Sequence, residues 1–368
     1  MSEKPIRIGL IGCGQIAQQH LRNYSKIPGV QVVACADIKK EAADTTAQTW
    51  NIPNVYYTGQ EMLKRDDLDA VDVCLHNNLH VSGTVAALES GRHCYCEKPM
   101  AGTYRDALTM YETAKKTGKM LHIQLAFLYE KETRAAKELI EAGELGELYH
   151  ARSTGFRRRG RPFVDGYGSE CFVQPKYSNG GAMYDMGVYH LSQLLYLMGN
   201  PAPKRVVGRT YQKIDMDPKR REISQYDVEE LGLGFVHFEN GMTMDIIEAW
   251  AINLGGLEGS SLVGSKAGVC LSPFGYFRNY GNLEMNATAN LEQAAFRWTN
   301  VHGDKGMYNS SQAHWIAALR GECELLPTAE IALNTMLISE CVFQSSKLDR
   351  EVTADEVKQA SVTRALPL

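Results

Sequence analysis

The first 125 residues alternate short apolar runs with stretches of helical periodicity. IRIGLIG (6–12), VQVVACAD (30–37), VDVCLH (71–76), HCYCEKP (93–99) and MLHIQLA (120–126) read as strands. Residues 15–26, the stretch running to Trp50, and HVSGTVAALESG (80–91), closed by Gly91, read as helices. Strands without polar alternation are buried on both faces, so helical crossovers between them predict a doubly wound parallel sheet. Beyond residue 126 the texture changes. RAAKELIEAGELGE (134–147) reads as an amphipathic helix, and GGAMYDMGVYHLSQLLYLMG (180–199) as an apolar one with Asp185, Tyr189 and His190 near its start. ELGLGFVHFE (230–239) and GMTMDIIEAWA (241–251) alternate, and the Glu-Asn-Gly joining them predicts a hairpin. Strand candidates follow at 260–271 and 282–287, then helices at 310–321 and 328–347. The expected fold is therefore α/β in an N-terminal domain, 1–125, and α+β with a mostly antiparallel sheet in a second domain, 126–368.

Composition narrows the classes. A chain of 368 residues suits two domains. No run of about 18 apolar residues is present, which argues against a membrane span. The opening MSEKPIRIGLIGCG runs straight into a glycine motif instead of a small-residue cleavage site, so it does not read as a signal peptide. A formal net charge of −4 argues against nucleic acid as a partner. The one basic cluster, Arg157-Arg158-Arg159 with Arg161, reads first as a solvated loop, with recognition of a hydroxyl-rich or anionic ligand as the functional alternative. Nine cysteines, none in a CxxC pair, support neither a disulfide framework nor a zinc site. They fit small core residues in a reducing cytoplasm, and no metal is expected.

GCGQIA (12–17) follows a strand and opens a helix as G-x-G-x-x-A. Gly12 suits the tight turn, Gly14 lets the backbone approach a pyrophosphate, and Ala17 allows close helix packing. The amides from Cys13 through Gln15 and Ile16 then face phosphate at a helix N-terminus. Asp37, ending the second strand, suits the ribose hydroxyls and repels a 2′-phosphate, so NAD is favoured over NADP despite Lys39 and Lys40.

Further along, CEKPMA (96–101) resembles the E-K-P signature of the Gfo/Idh/MocA oxidoreductase family. VCLHNNLH (73–80) resembles its T-P-N-x-x-H segment, and residues 180–190 resemble its G-G-x-x-x-D-x-G-x-H or D-x-G-x-Y motif. ALRGECELLPTAEIAL resembles the family's ending. Leu75 and His76 depart from Thr-Pro, and QLAFLYEK after Ile123 lacks an arginine often found there. The resemblance implies a Rossmann domain and a large open sheet that serves substrate binding and homo-oligomer formation. It implies cofactor contacts from Leu75, Asn77, His80, Glu97 and Lys98, with Lys98 at the reacting oxygen.

Hydride transfer from a carbinol needs a proton acceptor and a donor to the developing alkoxide. Lys98, at the carboxyl end of the sheet, suits the second role. The resemblance puts Asp185 at the substrate, with a helix N-cap as the competing reading. For the base, register favours Tyr189 and intrinsic acidity favours His190. Arg157, Arg158, Tyr167 and Gln174, together with Asp185, form the expected substrate set. The family handles sugars and polyols, so the expected reaction is oxidation of a secondary hydroxyl of a pyranose or glycoside, with C3 favoured. The alternatives are an inositol or polyol dehydrogenase, an NAD-dependent glycosidase working by transient C3 oxidation, and a non-catalytic NAD-binding sensor.

Overall fold

The protein, a computed structural model describing residues 4–368, divides into two compact units. The first takes in the chain up to residue 124 with 307–330 and 362–368; the second is 125–306 with 331–361.

In the first unit, β1 (Ile6–Ile11), β2 (Val30–Ala36), β3 (Asn54–Tyr56), β4 (Ala70–Val73), β5 (His93–Cys96) and β6 (Leu121–Ile123) form one sheet. All pairs are parallel, in the order β3-β2-β1-β4-β5-β6. Leu10, Ala34, Cys35, Val71, Val73, Cys94 and Cys96 are buried within it, which explains the apolar runs. The order reverses between β1 and β4, which opens a crevice beyond their carboxyl ends. The expected cut at 125/126 would leave 307–330 and 362–368 in the second domain. The structure returns them to the first, for a packing reason. Trp315 and Ile316, on the helix Ser311–Leu319, bury against Ile8, Tyr24 and Tyr95. Thr363 and Arg364 bond the buried Asp106 carboxylate.

The second unit holds nine strands: β7 (Leu148–Phe156), β8 (Pro203–Tyr211), β9 (Leu231–Phe238), β10 (Thr243–Ala249), β11 (Ser261–Gly264), β12 (Ala267–Leu271), β13 (Phe274–Tyr280), β14 (Leu283–Ala287) and β15 (Val352–Thr353). Their order is β14-β13-β12-β11-β7-β10-β9-β8-β15. Only β7 and β10 run parallel, so the mostly antiparallel sheet is as expected. The β9–β10 hairpin closes with Gly241 at φ +88°. The sequence pattern does not announce β7, because after Leu148 its buried positions are filled by Ala151, Ser153, Thr154 and Gly155, where apolar β-branched residues would be usual.

The basic cluster needs one correction. Arg157, Arg158 and Arg159 are exposed, but the Arg161 side chain is fully buried. Its guanidinium donates to Asp165 at 2.8 Å, to Glu230 at 2.9 Å, and to the carbonyls of Ile214 and Asp215. Two carboxylates and two carbonyls satisfy the fork, so this arginine anchors the loop instead of joining its solvated face. Arg161→Ala would leave the buried Glu230 without its counter-charge and Asp165 with only the exposed Arg159 at 3.4 Å, and we expect a loss of about 3–5 kcal/mol in urea unfolding. Recovery of full stability in that variant would refute the anchor.

Candidate active site

In the first unit, Gly12 has φ +94°, and a Cβ there would stand 2.2 Å from the Cys74 carbonyl oxygen. Only glycine fits this turn. Gly14 is the N-cap of the helix Gln15–Tyr24; no side chain caps it, and a Cβ at Gly14 would project into open space. Gln15 and Ile16 are exposed, while Cys13 is buried and Ala17 seats the helix on the sheet. Asp37 accepts from the amides of Cys13 and Lys39, each at 2.8 Å, which ties the end of β2 to the glycine loop. An uncapped helix start with clear space at Gly14, and a carboxylate joined to the same loop, fit a dinucleotide's pyrophosphate and ribose.

Leu75 is half-buried just beyond β4, and Asn77 begins the helix Asn77–Glu89. His80 is buried, with its ring nitrogens 2.7 Å from the Pro99 carbonyl oxygen and 3.0 Å from that of Leu75. Burial holds its pKa below the ordinary histidine value despite those carbonyls. The ring therefore links the end of β4 to the Lys98-Pro99 peptide, which is cis. Glu97 is buried; one oxygen accepts the Lys98 amide at 3.0 Å, and the other lies 2.8 Å from His20 Nε2. Lys98 is half-buried.

In the second unit, Met183–Gly187 forms a π-helical turn that runs into the helix Val188–Leu197. Such turns are one residue wider than α-helix, so the four-residue spacing from Asp185 to Tyr189 does not carry over unchanged. The N-cap is Ala182 and no side chain caps the segment, which removes the capping reading of Asp185. Asp185 accepts from the indole of the fully buried Trp250 at 2.9 Å. His190 Nδ1 lies 3.0 Å from Glu248 Oε2, and Ser153 donates to Glu248 Oε1 at 2.8 Å. Glu248 is fully buried on β10, whereas His190 keeps partial exposure. A Cβ at Gly155 would come within 2.2 Å of the His190 ring and 2.3 Å of Glu248, so the strand must be glycine there for the pair to form. Burial alone would lower the His190 pKa; Glu248, then Glu130, outweigh it and the pKa is raised. Tyr189 stacks on Phe127 with ring centres 5.0 Å apart.

The loop after β7 is anchored beside these groups. Arg157 N–H donates to the Ala249 carbonyl and Gly160 N–H to that of Trp250. The Arg157 side chain bonds the Tyr167 hydroxyl and lies over its ring. Arg158 is exposed, and Gln174 donates to the Ser224 carbonyl at 2.9 Å. Trp250 thus joins the arginine loop to Asp185.

Residues 6–125 match an oxidoreductase family described as having an NAD-binding Rossmann fold, and residues 133–269 match the GFO/IDH/MocA C-terminal domain. The chain belongs to the Gfo/Idh/MocA oxidoreductase family. It is 32% identical over 281 residues to a D-glucoside 3-dehydrogenase of Escherichia coli K12, covering 74% of this chain and 79% of that protein. An inositol 2-dehydrogenase of Pseudomonas savastanoi is 35% identical over 146 residues, 39% of this chain and 43% of that one. A solved levoglucosan dehydrogenase in complex with NADH superposes with TM-score 0.78 at 19% identity, covering 95% of this chain and 99% of that one. An oxidoreductase domain protein from Kribbella flavida superposes with TM-score 0.79 at 17% identity, covering 95% and 99%. The two structural likenesses show that the fold is shared over nearly the whole chain.

Sequence reasoning missed Glu248, Ser153, Trp250 as the partner of Asp185, and the His20–Asp72 pair. Glu248 had a legible mark: it lies in phase with the buried Met244 and Ile246, placing an acid on the apolar face of its strand. Asp72 had another, as an acid inside the wholly buried AVDV. In this Gfo/Idh/MocA oxidoreductase no described helix is long and apolar enough to cross a membrane.

Proposed function

We propose that this oxidoreductase oxidises a secondary hydroxyl of a pyranose sugar or glycoside, with C3 the favoured carbon, using NAD. The observation that carries the reading is the His190–Glu248 pair, a partly exposed imidazole held by a fully buried carboxylate on the segment that bears Asp185. The 32%-identical D-glucoside 3-dehydrogenase supports the substrate class.

NAD, when bound, supplies the hydride acceptor. The chain's residues do the rest. The Gly12–Ile16 loop and the start of its helix hold the pyrophosphate, and Asp37 holds the ribose while its charge disfavours a 2′-phosphate. Leu75, Asn77 and Glu97 shape the remaining cofactor wall; His80, with both ring nitrogens at backbone carbonyls, positions that wall from behind. Lys98 donates to the reacting oxygen as negative charge develops on it. Asp185, steadied by Trp250, holds a substrate hydroxyl, and neutral His190 takes the proton. Glu248 fixes the ring and stabilises the imidazolium that forms. Arg157 and Tyr167, already joined, offer a planar fork and an aromatic face for a sugar ring, with Arg158 and Gln174 alongside.

The test is a panel of glycosides, free sugars and inositols offered with NAD and, in parallel, NADP, followed at 340 nm with NMR of the product. We expect NADH to accumulate with a pyranoside, a 3-keto product, and preference for NAD. Aglycone release without NADH would instead establish the redox-neutral glycosidase, turnover of inositols alone the polyol dehydrogenase, and binding of NAD with no turnover a sensor.

A further inference from the structure

His20, which none of these steps uses, is the centre of a buried charge cluster. It sits on the helix Gln15–Tyr24 with no exposed surface. Its Nδ1 lies 2.8 Å from Asp72 Oδ2, and its Nε2 lies 2.8 Å from Glu97 Oε1. A neutral imidazole has one N–H and would turn a lone pair onto the second carboxylate at that distance; an imidazolium donates to both. Three other groups face the cluster. Cys74 Sγ is 3.3 Å from Nδ1, the Tyr95 ring stands edge-on at 5.4 Å, and Tyr24 is buried on the same helix. Burial pushes the thiol and both phenols up, so they stay uncharged.

Burial opposes a charge on His20, but Asp72 and then Cys74 outweigh it and its pKa is raised well above the ordinary histidine value. Burial would likewise raise Glu97; its bond from His20, and then the nearby Lys98 charge, more than offset this and hold it below the usual carboxylate range. The two Glu97 oxygens are divided between His20 and the Lys98 amide.

We propose that His20 is a positioning residue for Lys98: as an imidazolium braced by Asp72 it fixes Glu97, which holds the Lys98 backbone and keeps a negative charge near the Lys98 ammonium. The inference rests on the reading of Lys98 as the donor to the reacting oxygen. Without His20, the buried Glu97 would take up a proton and Lys98 would lose a charged neighbour. Its ammonium would then titrate at lower pH.

The experiment compares His20→Gln, Glu97→Gln and the double variant. Titration of Lys98 is read from lysine 13Cε shifts without NAD or substrate, beside the pH profile of kcat. In each variant we expect the Lys98 titration and the alkaline limb of kcat to fall together by about one pH unit. We expect kcat to drop about ten- to a hundredfold, with NAD affinity little changed in His20→Gln, and the double variant to be no worse than the more affected single. A folded His20→Gln protein in which Lys98 titrates as in the parent would overturn the proposal, however slow it is. If His20→Gln does not fold, the parent's 15N imidazole shifts decide: two protonated nitrogens at pH 7 are expected, and a neutral ring overturns it. Failure of the underlying reading looks different, as turnover that survives Lys98→Ala.

Discussion

Lys98→Ala should lower kcat on the responsive pyranoside by about a hundred- to a thousandfold, the range seen when one preorganised donor to a developing oxyanion is removed. NAD affinity, measured by calorimetry, should change little, because the groups assigned to the pyrophosphate and ribose lie on the glycine loop and at Asp37. The reason for the large effect is timing. An ammonium aimed at the substrate oxygen interacts modestly with a neutral hydroxyl and strongly with an alkoxide, so its contribution falls on the transition state. Lys98→Arg should not restore the rate, since a fork-shaped cation cannot stand in for a compact one held at a fixed backbone position. Intact turnover in Lys98→Ala would remove the mechanism proposed here.

The second large effect concerns the proton. His190→Asn should reduce kcat by about a hundred- to ten-thousandfold, while Tyr189→Phe, which keeps the stack on Phe127, should retain most of it. Glu248→Gln should give a smaller loss and a diagnostic change of pH dependence. The base must be neutral to work, so activity rises with pH through the His190 pKa. Burial alone would depress that pKa, and Glu248 is the main group raising it. Taking away the Glu248 charge therefore lowers the His190 pKa and moves the acid limb of kcat/KM to lower pH. An acid limb that stays in place in Glu248→Gln, or a Tyr189→Phe protein as slow as His190→Asn, would transfer the role to Tyr189.

Much of the first unit was readable because its chemistry is local. Gly12, Gly14 and Asp37 are joined by one turn and one strand: Gly12 makes the tight turn, space is clear at Gly14, and the Asp37 bond to the Cys13 amide, which spacing does not announce, ties them together. The second unit was harder for two reasons. Its central strand β7 is built from Ala151, Ser153 and Gly155, small enough for the His190 helix to approach, and so lacks the bulk that marks a buried strand. Its key pairings are also remote in the chain: Glu248 to His190, Trp250 to Asp185, and Glu230 to Arg161. A pattern of single positions can show that an acid is out of place, as at Glu248 or Asp72, but it does not name the base that satisfies it. The same limit made Arg161 look like its exposed neighbours.

The return of residues 307–330 to the first unit bears on how the chain is made. The nucleotide-binding sheet leaves the ribosome early, yet Trp315 and Ile316, which cover Ile8 and Tyr95, emerge only after nearly all of the second unit. At synthesis rates of roughly 5–20 residues per second, that apolar face waits on the order of tens of seconds for its lid. A fragment ending near residue 124 should accordingly be sticky and poorly folded when expressed alone. Fusing the missing helix Ser311–Leu319 back onto such a fragment, through a flexible tether, is the rational route to a free-standing nucleotide-binding module.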